Sequence, residues 1–94
     1  MNALSIPPEA EADPKSIEIA RIWAAGGSQH VTMKTGLWDD PAAWGLMLVD
    51  LARHAANAYV QTEGRDREDV LQRIKAGFDA EWDSPTDDAK GSIA

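Results

Sequence analysis

The stretch SIEIARIWAAGGSQHVTMKTG, residues 16–36, decides the fold. It admits two readings. As a helix, Ser16 caps it, and Ile19, Ile22 and Trp23 share a face. As a hairpin, IEIARIWA and QHVTMKT are strands that turn at Gly26-Gly27. A Gly-Gly pair suits a primed two-residue turn, because glycine takes positive φ without a Cβ clash.

Register separates the two readings. A two-residue loop at Gly26-Gly27 sets Ala24 opposite Gln29, Ile22 opposite Val31 and Ala20 opposite Met33. Side chains alternate along a strand, so these pairs share one face, and it is nearly all apolar. The other face carries Ile19, Arg21, Trp23, His30, Thr32 and Lys34. The register sorts the strands into an apolar face and a mixed face, and the hairpin is the expected structure.

Downstream, residues 41–61 read as a long helix. At about 100° per residue, Asp50, Arg53, His54, Asn57 and Gln61 fall within one arc of about 100°. Leu46 apart, apolar residues cover the rest: Trp44, Met47, Leu48, Val49, Leu51, Ala52, Ala55, Ala56, Tyr59 and Val60. So wide an apolar arc exceeds what one neighbour needs. Gly64 supplies the stop. Residues 67–81 read as a second helix. Asp66 is its N-cap, and Val70, Leu71, Ile74, Phe78 and Trp82 form a narrower apolar face. The short link between the helices predicts an antiparallel pair.

The expected fold is therefore α+β in the order β-β-α-α: a β-hairpin packed against two antiparallel helices in two layers. The alternative is an all-α three-helix domain whose first helix is residues 16–25. Residues 1–15 carry Pro7, Pro8 and Pro14 among acidic side chains and read as a disordered tail. SPTDDAKGSIA, residues 84–94, reads the same way, leaving 16–83 as a single domain.

Bulk properties narrow the functional classes. The chain has 94 residues, no cysteine, 9 basic and 16 acidic side chains, and a formal net charge of −7. Nucleic-acid binding draws much of its affinity from Lys and Arg on phosphates. Here the basic residues are scattered, and the densest run, Arg65 to Lys75, is interleaved with Asp66, Glu68 and Asp69. Nucleic acid and anionic membrane are disfavoured as partners. No apolar run is long enough to span a bilayer, and MNALSIPPEAEADPK lacks the basic and apolar regions of a secretory signal. The cytoplasm is the expected location.

Each chemically suggestive cluster has a plainer explanation. In DDPAAWG, Asp40 caps the helix, Pro41 takes the first helical position, and Asp39 gains from the helix dipole. A metal needs three or more converging oxygens, which two adjacent aspartates do not provide. Trp38 and Trp44 are expected to pack near the helix entry. Asp50, His54 and Asn57 lie at i, i+4 and i+7 and form a candidate polar site. An Asp orienting a His is half of a hydrolytic relay, but no Cys and no Gly-x-Ser-x-Gly elbow supplies a nucleophile. Two histidines far apart make no zinc motif. Gly26-Gly27-Ser28 lacks the lysine of a phosphate loop. No catalytic residue, metal ligand or cofactor is assigned.

The mixed hairpin face is harder to explain as structural. An isolated hairpin has two open edges and is marginal in water. A tryptophan beside an isoleucine on its outer face favours association with another chain. Ile19, Trp23 and His30 are the candidate interface residues, and a homodimer is the expected partner state. A second protein partner, with a basic surface, is also compatible with the charge. The alternative function is a small-ligand or catalytic domain using Asp50, His54 and Asn57.

The segments RIWAAGGSQHV, DDPAAWG, LARHAANAY and FDAEW resemble domain-of-unknown-function family 5076, short soluble proteins common among alphaproteobacteria. The resemblance covers most of the chain outside the tails. It implies a bacterial cytoplasmic protein with an α+β fold, and it transfers no catalytic residue.

Overall fold

The computed structural model describes residues 3–86 and the backbone of 91–93. In chain order the elements are α1 (Pro8–Ala12), β1 (Ala20–Ala25), β2 (Ser28–Met33), α2 (Ala42–Glu63), α3 (Arg67–Asp83) and β3 (Gly91–Ile93). The fold is α+β, with an antiparallel hairpin followed by two long helices. Two compact units are present. One holds the hairpin and β3, the other holds α2 and α3, and the boundary falls between Thr35 and Gly36.

The hairpin forms in the expected register. Ala24 faces Gln29, Ile22 faces Val31 and Ala20 faces Met33. Gly26 and Gly27 both have positive φ, 58° and 76°. Both central residues of a type I′ turn need that conformation, and its twist matches the twist of the strands. One feature was not legible in advance: β3 pairs with β2 in parallel, Val31 against Gly91 through Met33 against Ile93. The sheet order is β1-β2-β3, so β2 is central and β1 is an edge.

Two short elements thus lie in the segments read as tails. Pro8 opens α1 as proline does at a first turn, and Glu9 and Glu11 sit where the helix dipole favours acids. Five residues are too few for helical propensity alone to hold. The Ser16 hydroxyl donates to the Ala10 carbonyl at 2.7 Å, which ties the end of α1 to the start of the hairpin.

In the helical unit the start signals act as expected. The Ala42 N–H donates to the Asp40 carboxylate at 2.9 Å. Pro41 already has helical dihedrals, φ −57° and ψ −19°. Asp40 therefore caps and Pro41 begins the helix, one residue ahead of the assigned boundary. The Asp66 carboxylate accepts from the Asp69 N–H at 3.0 Å, capping α3. Gly64, at φ 65°, closes α2 in the left-handed conformation, its N–H donating to the Val60 carbonyl. Three residues link helices of 22 and 17 residues, so the second folds back antiparallel along the first. The Arg67 guanidinium donates to the Asn57 side chain across the link at 2.8 Å.

Burial is sparse. Among the described residues only Ala56, on α2, and Val70, on α3, are buried apolar side chains. The apolar hairpin face is not closed either, since Ile22 is 56% exposed.

The glycines give a paired stability prediction. Gly64→Ala forces a side chain into positive φ and should lower unfolding free energy by about 1 kcal/mol. Gly45 lies inside α2, and a Cβ there meets nothing within 4 Å. Gly45→Ala should raise stability by about 0.5–1 kcal/mol. Urea denaturation followed by circular dichroism measures both.

Candidate functional site

β1 is the edge strand of the hairpin unit. Its sequence, ARIWAA, has no proline and one charge, Arg21. The Arg21 Nε donates to the Glu18 carboxylate at 2.6 Å. That hydrogen bond, with the Glu18 charge, holds the Arg21 pKa above its ordinary value. Trp23 stands opposite His30 on β2. The Lys34 N–H donates to the Ile19 carbonyl at 2.9 Å, extending the ladder one pair beyond β1. Ile19, Trp23 and His30, the candidate interface residues, thus come together on one face. Ile19 and His30 are half-buried, whereas Trp23 is 39% exposed.

The Lys34–Ile19 bond also fixes which backbone groups of β1 are used. In an antiparallel ladder every second pair exchanges hydrogen bonds. Counting from Ile19 and Lys34, the bonded pairs are Arg21 with Thr32, Trp23 with His30 and Ala25 with Ser28. Ala20, Ile22 and Ala24 therefore point their N–H and C=O groups away from β2, along the open edge.

An open groove of about 710 Å³ runs beside this edge. Its near wall includes Ile17, Ile22 and Trp23, and its far wall is the N-terminal segment with Leu4 and Ile6. The segment does not cover the strand. Leu4 is 95% exposed, and no hydrogen bond between the segment and β1 is present among the described residues. Nothing in the sequence pattern signalled this groove, because Leu4 and Ile6 are isolated among polar and proline residues.

The polar stripe on α2 is partly assembled. The His54 Nε2 lies 3.4 Å from the Asp50 carboxylate, with both side chains more than two-thirds exposed. Asn57 is taken up by Arg67. An exposed i, i+4 pair with no neighbouring nucleophile is what a solvated helix face looks like. Trp38 and Trp44 meet edge to face, with centroids 5.1 Å apart at 82°, at the entry of α2. GLWDDPAAWG is thus a helix start closed by an aromatic pair. Among the described residues no cluster of three or more His, Asp or Glu could hold a metal ion. No helix of the described residues is long and apolar enough to cross a membrane.

Comparison with known proteins places the chain. The model of the domain of unknown function DUF5076 matches residues 3–86. The chain belongs to the DUF5076 family. Among solved structures it is similar to one described as "a putative pyruvate dehydrogenase from the photosynthetic bacterium Rhodopseudomonas palustrus CGA009". The two are 34% identical, with a TM-score of 0.76 over 96% of this chain and 92% of that one. No curated protein matches. The DUF5076 segments RIWAAGGSQHV and DDPAAWG now have physical roles. The first is a register-setting hairpin and the second a capped helix entry.

Two substitutions separate structural from spectator groups. Asp66→Ala removes the α3 cap and should cost about 1 kcal/mol. His54→Ala should change stability by less than about 0.5 kcal/mol, because its one partner is exposed. Thermal unfolding of the two variants checks the contrast, and a large loss at His54 would show that its pair with Asp50 holds structure.

Proposed function

We propose that this DUF5076 chain is a non-enzymatic protein-interaction module that self-associates. One observation carries the reading: the imbalance between buried and exposed apolar surface. Ala56 and Val70 are buried, while fourteen large apolar side chains are exposed among the described residues. Soluble monomers tolerate single exposed apolar residues but seldom so many in so short a chain. Both units contribute, the hairpin unit with Ile22 and Trp23, the helices with Leu46 at 75% and Trp82 at 76% exposure. Phe78 stacks on Trp82 with centroids 5.7 Å apart, so the end of α3 exposes a stacked aromatic pair.

The dehydrogenase description of the solved relative suggests a different class. Oxidation of a 2-oxo acid needs an electron sink and groups that hold the substrate carboxylate. The Asp50/His54 pair is exposed and carries no fixed positive charge for a carboxylate, which suits neither task. Association through apolar surface asks nothing of those residues.

Light scattering at micromolar concentration tests the reading. A dimer or larger species is expected. Covering the exposed 39% of Trp23 contributes about 2 kcal/mol, so Trp23→Asp should weaken association at least about thirtyfold. Circular dichroism must show the hairpin retained. A strict monomer unaffected by Trp23→Asp would overturn the proposal.

A further inference from the structure

The outward groups of β1 form a self-complementary edge, and we infer that two copies join there, β1 against β1, in antiparallel register about Ile22. The inference rests on the self-association proposed above and names its surface and geometry.

An unpaired strand edge is a template for another strand. The usual protections are missing from β1. Proline is absent, Arg21 projects from a face rather than along the edge, and no hydrogen bond covers the edge among the described residues. The opposite side of the hairpin is taken, since β2 pairs with β3. The free edge of the hairpin is therefore that of β1, six residues long.

A twofold axis through Ile22 uses the whole strand. Ile22 then bonds Ile22 of the second copy, Ala20 bonds Ala24, and Ala24 bonds Ala20. Each of these pairs exchanges two hydrogen bonds, because all three residues already direct their N–H and C=O outward. The side chains agree with this register. On one face two isoleucines meet between flanking alanines. On the other, Arg21 lies directly opposite Trp23 of the second copy, and the reciprocal pair repeats it. A guanidinium over an indole is a favourable cross-strand pair.

Neighbouring registers are worse. Sliding one way opposes Arg21 to Arg21, placing like charges face to face. Sliding the other way carries Ala20 onto Gly26, in the turn of the second copy, and loses a bonded pair. A strand order of β3-β2-β1-β1-β2-β3 results, and the contact closes on itself as twofold interfaces do. The groove beside β1 gives an incoming strand access, and Leu4 and Ile6 on its far wall add apolar contact.

Disulfide trapping tests the register, and the chain has no cysteine of its own to interfere. Arg21→Cys and Trp23→Cys are made in separate full-length chains and mixed. In the inferred register Cα atoms at 21 and 23 of the two copies lie about 4.5 Å apart, within disulfide reach. One Arg–Trp pair survives in the mixed dimer. Oxidation should give the mixed disulfide several-fold in excess of either variant with itself. As a second reading, Ile22→Pro removes an outward N–H without touching the β1–β2 ladder. It should keep the circular dichroism of the hairpin while abolishing the dimer. A dimer by light scattering without the 21–23 disulfide would sink the register but leave self-association standing. A strict monomer would overturn both. The same holds for a monomer in which Ile22→Cys reacts with maleimide only after residues 1–7 are removed. That result would make the chain's own N-terminal segment the occupant of the edge.

Discussion

The turn at Gly26-Gly27 is the constraint on which the hairpin unit depends. Positive φ at two consecutive residues is open to glycine at no steric cost and to few other residues. Once the turn has two residues, the pairing of every strand residue is fixed, because an antiparallel ladder has one register per loop length. The register puts Ala20, Ile22 and Ala24 on one face with Val31 and Met33. It also fixes which backbone groups point at β2 and which point outward. The chemistry available at the edge is set, several residues away, by the absence of two Cβ atoms.

Local signals were readable from the sequence to the extent that their physics is local. The hairpin register follows from alternation and a glycine pair. The starts of α2 and α3 follow from Asp40-Pro41 and Asp66, whose carboxylates each take a backbone N–H of the helix's first turn. Gly64 marks the end of α2 for the same reason that Gly26 marks a turn. β3 was not legible because its pairing is long-range and its segment has too few apolar residues to alternate. α1 is short enough that its proline and glutamates read equally well as a tail. Ile19, Trp23 and His30 were placed together by register alone. Asp50, His54 and Asn57 share an arc, as periodicity requires. That Asn57 serves Arg67 depended on how α3 returns along α2, which no spacing within α2 encodes.

Periodicity also overstates burial. The wide apolar arc of α2 suggests a helix enclosed on several sides, yet Leu48, Val49, Leu51, Tyr59 and Val60 stay exposed. A hydrophobic pattern states which side chains gain by leaving water. It does not state whether their own chain supplies the cover. Here the wide apolar arc and the low burial are two views of one quantity, the apolar surface that α2 leaves uncovered.

The parallel pairing of β3 with β2 bears on the order of assembly. Val31 and Gly91 are 60 positions apart, 91 minus 31. The hairpin closes through local contacts, whereas the third strand must wait for a long loop and carries its closure entropy. On a ribosome the sequence of events is stricter still. The hairpin, nearly sixty residues upstream, leaves the exit tunnel before the residues that seal the second side of β2 are joined to the chain. During that interval both hairpin edges are open, and nascent chains translated side by side on one message would present the same unpaired strands to each other.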